Sequence, residues 1–108
     1  MKLECIKENL EQAIHRAERF TARSGTLPVL QCILFSLKNS TLTLRATNLE
    51  VGIEVVLPVK SKEDGVLAVP ANILSQFLNT LPKEGSITLE STDTVLVIKT
   101  KNTSASIK

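Results

Sequence analysis

Tryptophan and tyrosine are absent from this chain, and Phe20, Phe35 and Phe77 are its only aromatic residues. That excludes modules that hold single strands or RNA by stacking bases on aromatic platforms. Histidine occurs once, at His15, and glycine only four times. No Ser/His/Asp constellation and no glycine-rich phosphate loop can be assembled from such a composition. Two cysteines, Cys5 and Cys32, are too few for a disulfide framework and are read as buried thiols of a reducing compartment. Joining them with His15 would give three ligands on three separate elements at no metal-site spacing, so no metal or other cofactor is expected. Glu50 and Glu54 share one face of a presumed strand, and a solvated edge explains them better than chemistry does. No apolar run approaches the roughly 18 residues of a membrane span, and the first five residues lack the apolar stretch of a signal peptide. A chain in the cytoplasm, with no membrane partner, is expected.

What is present is one domain's worth of sequence, 108 residues with 43% apolar content. The formal charge of +2 is too small for nucleic-acid binding by bulk charge. Residues 2–6 read as a short strand. Leu10, Ala13, Ile14, Ala17 and Phe20 then recur with helical period, opposite Glu8, Gln12, His15, Arg16 and Arg19. Thr21–Gly25 breaks this helix, and Leu27-Pro28 demands extended backbone. Three alternating strands follow, around Cys32–Leu37, Thr41–Arg45 and Ile53–Leu57. Turns are expected at Lys38-Asn39-Ser40 and Thr47–Glu50.

The second half repeats the order. A charged loop, Lys60–Gly65, leads to a strand at Val66–Val69, and Pro70 suits the first position of a helix. The expected buried stripe is Ile73, Leu74, Phe77, Leu78 and Leu81, with Asn72, Ser75, Gln76 and Asn79 outside; Pro82 stops the helix. Strands near Ser86–Glu90, Thr94–Thr100 and Thr103–Ile107 complete the unit. Two β-α-β-β-β units of this kind define an α+β fold with two helices on one side of antiparallel sheets. The helices should then present their polar flanks side by side.

Arg16, Arg19 and Arg23 follow one another at i, i+3 and i+7, a spacing that lines one helix face and the loop beyond it. Such a row could neutralise backbone phosphates without reading sequence, or could simply be a solvated face balanced by Glu8, Glu11 and Glu18. Asn72, Gln76 and Asn79 add neutral donors on the second helix. The last strand offers a free edge for another chain, with Ala105 and Ile107 on one face. A small-molecule enzyme finds no cleft of convergent ionisable groups. A stand-alone adaptor that pairs through its edge strand is the alternative to a DNA-facing module.

Four segments, in order and at nearly constant spacing, carry a resemblance: Met1-Lys2-Leu3 with its helix, Thr26-Leu27-Pro28-Val29-Leu30, Leu42–Glu50, and Val69-Pro70-Ala71. Together they resemble the first of three domains of the bacterial sliding clamp, the beta subunit of DNA polymerase III, over essentially all 108 residues. The resemblance implies a DNA-clamp domain and a non-catalytic role as a processivity factor in DNA replication. Two chains would close into a ring of six domains around duplex DNA. It implies DNA contacts at Arg16, Arg19, Arg23, Ser24 and Asn72. It also implies a ring interface with a second protomer at Leu74, Leu78, Ala105 and Ile107. DNA polymerase and clamp loader would dock on domains outside this chain. Ser24 and Asn72 stand where the family often has arginine, and Asn48 where it often has aspartate.

Overall fold

The computed structural model describes residues 1–22, 28–82 and 85–107. The first unit runs β1 (Lys2–Ile6), α1 (Lys7–Glu18), a 3-10 turn (Pro28–Gln31), β2 (Cys32–Lys38), β3 (Thr41–Thr47) and β4 (Gly52–Pro58). A short strand β5 (Lys60–Glu63) links it to the second unit, β6 (Gly65–Pro70), α2 (Ala71–Asn79), β7 (Ser86–Thr92), β8 (Val95–Lys99) and β9 (Ser104–Ile107).

The strands form two antiparallel sheets, ordered β5-β1-β7-β8-β9 and β4-β3-β2-β6. The units do not keep their strands to themselves. Strand β1 pairs with β7 of the second unit, and β6 pairs with β2 of the first. Each unit lends its opening strand to the other's sheet.

Alternation sends Ile33, Phe35 and Leu37 of β2, Leu42 and Leu44 of β3, and Ile87, Leu89, Leu96 and Ile98 of the other sheet into one continuous core. Helix α1 contributes Leu10, Ala13, Ile14 and Ala17, and α2 contributes Ala71, Leu74 and Leu78. The helices lie against each other, α1 also resting on β3 and β4 and α2 on β6.

Local chemistry sets the turns. Asn39 and Ser40 both take positive φ, 52° and 61°, the mirror-image turn that matches strand twist in a two-residue hairpin. Asn48 Oδ1 accepts from the N–H groups of Glu50 and Val51 at 3.0 and 2.9 Å. That loop holds Leu49 at φ 77°.

The structure adds one buried charge to the expected pattern and corrects several expectations. Helix α1 begins at Lys7, a residue only 2% exposed, whose ammonium donates to Glu11 at 3.0 Å one turn on. The charged segment expected as a loop at Lys60–Gly65 contains β5, an edge strand held to β1 by backbone pairing with no apolar side chain of its own. Pro70 closes β6 and precedes the helix rather than opening it. Helix α2 is rotated from the expected face: Ile73 is 49% exposed and Ser75 is buried. The true stripe is Ala71, Leu74, Ser75 and Leu78, which is the i, i+3, i+4, i+7 set. His15 and both cysteines are half-buried rather than fully out or in. Burial, and secondarily the charge of Glu4, pushes the Cys5 thiol up to about 11; burial alone raises Cys32.

Candidate nucleic-acid interface

The outward flank of α1 carries Glu8, Asn9, Gln12 and Arg16, with Arg19 exposed at its C-cap. The outward flank of α2 carries Asn72, Gln76 and Asn79. Because the two helices pack side by side, these polar residues belong to one surface.

The end of α1 closes tightly. The Phe20 N–H donates to the Ala17 carbonyl at 3.0 Å and the Thr21 N–H to the Glu18 carbonyl at 3.1 Å. The Thr21 hydroxyl donates to the same Glu18 carbonyl at 2.8 Å. The Ala22 N–H then reaches across to the carbonyl of Leu30 at 2.7 Å, tying the helix end to the 3-10 turn. On the other side, Cys32 stands opposite Pro70 in the β2–β6 ladder. The residue before Cys32 is Gln31, and the residues after Pro70 open α2, so this register carries Gln31 to the start of that helix.

The result is a cleft of about 390 Å³ lined by Glu18, Arg19, Thr21, Ala22, Gln31 and Asn72. Asn72 Oδ1 accepts from the Ile73 N–H at 2.9 Å, and the residue lines the cleft. Arg19 and Gln31 add donors of their own. Glu18 is the one carboxylate in the lining, so the end of α1 is less basic than a row of arginines alone would make it.

Two of the sequence-derived DNA-contact residues, Arg19 and Asn72, are therefore brought to one cleft. Arg16 is exposed on the last turn of α1 but does not line it. Arg23 and Ser24 lie outside the described residues. No periodicity or motif marks Gln31 or Thr21; the strand register and the Ala22–Leu30 hydrogen bond bring them to the cleft. The side chains assigned to a ring interface need correction. Leu74 and Leu78 are fully buried in the domain's own core, because the α2 stripe turns them inward. Ile107 is likewise in the core and Ala105 is half-buried. On α2 the apolar side chain that does face outward is Ile73. What β9 keeps available is its outer backbone edge, since it ends its sheet.

Among the described residues no cluster of three His, Cys, Asp or Glu side chains is placed to hold a metal ion, and no helix is long and apolar enough to cross a membrane.

Two paired helices backed by sheets of exchanged strands define a domain of the DNA-clamp class. The model of the family described as DNA polymerase III beta subunit, N-terminal domain, matches residues 1–108. The chain belongs to that family. It is 28% identical over 95 residues to the beta sliding clamp of Synechococcus elongatus, covering 86% of this chain and 25% of that protein. Among solved structures, it superposes on a Caulobacter crescentus DNA polymerase III beta with a TM-score of 0.92 and 26% identity, over 99% of this chain and 29% of that one. A sliding clamp from Bartonella birtlesii, bound to griselimycin, shares the fold with a TM-score of 0.93 at 23% identity, over 99% of this chain and 29% of that one. The chain thus spans about a quarter of the length of the curated relative it matches.

Proposed function

We infer that this chain is the first domain of a cytoplasmic sliding clamp, a non-catalytic processivity factor that encircles duplex DNA and tethers the replicative polymerase. The observation that carries the reading is the joint polar surface of α1 and α2, with Arg19 and Asn72 at one cleft. A tether that must slide needs sequence-blind, weak contacts to phosphate, and each phosphate neutralised adds only about one unit of salt dependence. A flank of scattered arginines and amides, interrupted by Glu8 and Glu18, suits that requirement better than a dense basic patch does.

The ring joint falls on the outer edge of β9, whose backbone groups can extend the sheet into a second protomer, with Ile73 as the outward apolar side chain of α2. Polymerase and clamp loader dock on domains beyond this one. A Helicobacter pylori relative has been solved with a DNA ligase peptide, so at least one clamp of this fold takes a peptide partner.

The test uses the full-length protein loaded onto nicked circular DNA. A topological tether stays on the circle at high salt and leaves as soon as the circle is cut. Reversing charge at Arg16 and Arg19 together should shorten retention on the circle at low salt and change little at high salt. Retention that survives cutting would reject the ring and favour an adaptor held by its edge strand.

A further inference from the structure

We infer that two open sheet edges of this domain, β4 and β9, are complementary to one another. A second copy of the same chain docks its β4 edge against β9, and copies associate head to tail. The inference concerns the domain by itself and stands whether or not the clamp reading does.

Strand β4 closes one end of its sheet and β9 one end of the other, so among the described residues neither has a strand along its outer side. An edge left in that state recruits another strand unless something blunts it. The far edge of the β9 sheet is blunted: β5 is Lys-Ser-Lys-Glu, and its register with β1 shifts between Lys2 and Leu3. Strand β4 has neither device. It pairs with β3 in unbroken register from Gly52 to Pro58, and its inward side chains are all apolar.

Those inward side chains leave β4 unfinished. Ile53, Val55 and Leu57 lie opposite Ala46, Leu44 and Leu42 of β3. The three on β3 are buried, whereas the three on β4 are only half-covered, although both rows face the same core. A strand laid along β4 would cover them. Strand β9 presents a matching inner row, Ala105 and Ile107, and its outer row is Ser104 and Ser106. Set beside β4 of another copy, it keeps apolar side chains together on the inner face and polar ones on the outer.

Charge selects which edges meet. From Leu49 to Pro58 the chain carries two carboxylates, Glu50 and Glu54, and no base; from Lys99 to Ile107 it carries two lysines, Lys99 and Lys101, and no acid. All four charged residues are exposed. Arg45, one strand in, donates to Glu54 at 2.9 Å and weakens its field, which leaves Glu50 the stronger charge at that edge. Two β4 edges, or two β9 edges, would bring like charges together, whereas β4 against β9 brings opposite ones. Such a contact is heterologous. Each copy uses one edge and leaves the other open, so addition continues past two copies.

The experiment is sedimentation of the 108-residue chain across concentrations from about 10 μM to about 1 mM, the range of a weak single-edge contact. At about 20 mM salt the mean mass should rise beyond that of two copies, and about 300 mM salt should weaken the association several-fold. Amide exchange should slow with concentration in β4 and β9 and stay unchanged in β5. Glu50→Lys with Glu54→Lys should weaken self-association by about tenfold, and so, separately, should Lys99→Glu with Lys101→Glu. An equimolar mixture of the two variants should restore it, because opposite charges then face one another at every joint between unlike copies. Dispersed amide spectra report that both variants are folded. A chain that stays monomeric up to about 1 mM, a mass that stops at two copies, or a mixture no more associated than its components would each overturn the inference.

Discussion

Leu3 of β1 lies directly across the ladder from Leu89 of β7, although one opens the first unit and the other belongs to the second. Both side chains are fully buried. Ile33 and Val69 form the reciprocal pair in the other sheet. The core is therefore shared between the halves at its most buried positions, and neither half can complete a sheet alone.

Cutting the chain between Asp64 and Gly65 tests this directly. Residues 1–64 and 65–108, expressed separately, should each lack the cooperative melt and dispersed amide spectrum of a folded domain. Mixed, they should recover both. A folded first half alone would contradict the strand exchange.

Gly65 is a second point of dependence. A Cβ at this position would meet the Cβ and backbone nitrogen of Met1 at 3.0 Å and its Cα at 3.1 Å. Met1 is itself buried, and its carbonyl accepts from the Ser91 N–H at 2.8 Å, so it has little room to yield. Gly65→Ala should cost about 1–3 kcal/mol in a denaturant melt, the scale of an overpacked core.

The rotation of α2 makes a comparative prediction. Leu74 is fully buried, and truncation to alanine should cost about 2–5 kcal/mol. Phe77 is only partly buried against the core, so Phe77→Ala should cost less, about 1–3 kcal/mol, despite removing a larger side chain. Equal or reversed losses would place the buried stripe on the other face.

Cys5 predicts a pH dependence. Its thiol titrates near 11 in the fold against 9.0 when unperturbed. The folded state thus favours the neutral form, and the stabilisation is complete below pH 9 and lost as pH rises towards 11. Cys5→Ser should flatten the fall in stability over that window. Alkylation of Cys5 at pH 8 should be far slower in the native chain than in denaturant.

Much of the fold could be read in the sequence because its signals are local. The alternation of Ile33, Phe35 and Leu37, and of Leu42 and Leu44, marks strands whatever they pair with. Pairing itself is not local: nothing in Lys2–Ile6 says that its neighbour is Ser86–Thr92. Strand β5 escaped because an edge strand made of Lys-Ser-Lys-Glu has only backbone hydrogen bonds to declare it. Lys7 escaped because a lysine counts as polar even where Glu11 permits its burial. Pattern alone misplaces the face of α2, because Ser75 is small enough to sit in the core and Ile73 is apolar but outside. The cleft was half legible: Arg19 and Asn72 stand out on polar helix flanks, whereas Gln31 enters it only through a ladder register that no pattern encodes.

The reciprocal loan of β1 and β6 has the logic of a domain swap. One unit by itself leaves a sheet with a vacant lane and an orphaned leading strand. Two identical copies would cure both defects by trading those strands, as domain-swapped twins do. The exchange thus reproduces within one chain the geometry of a domain-swapped pair.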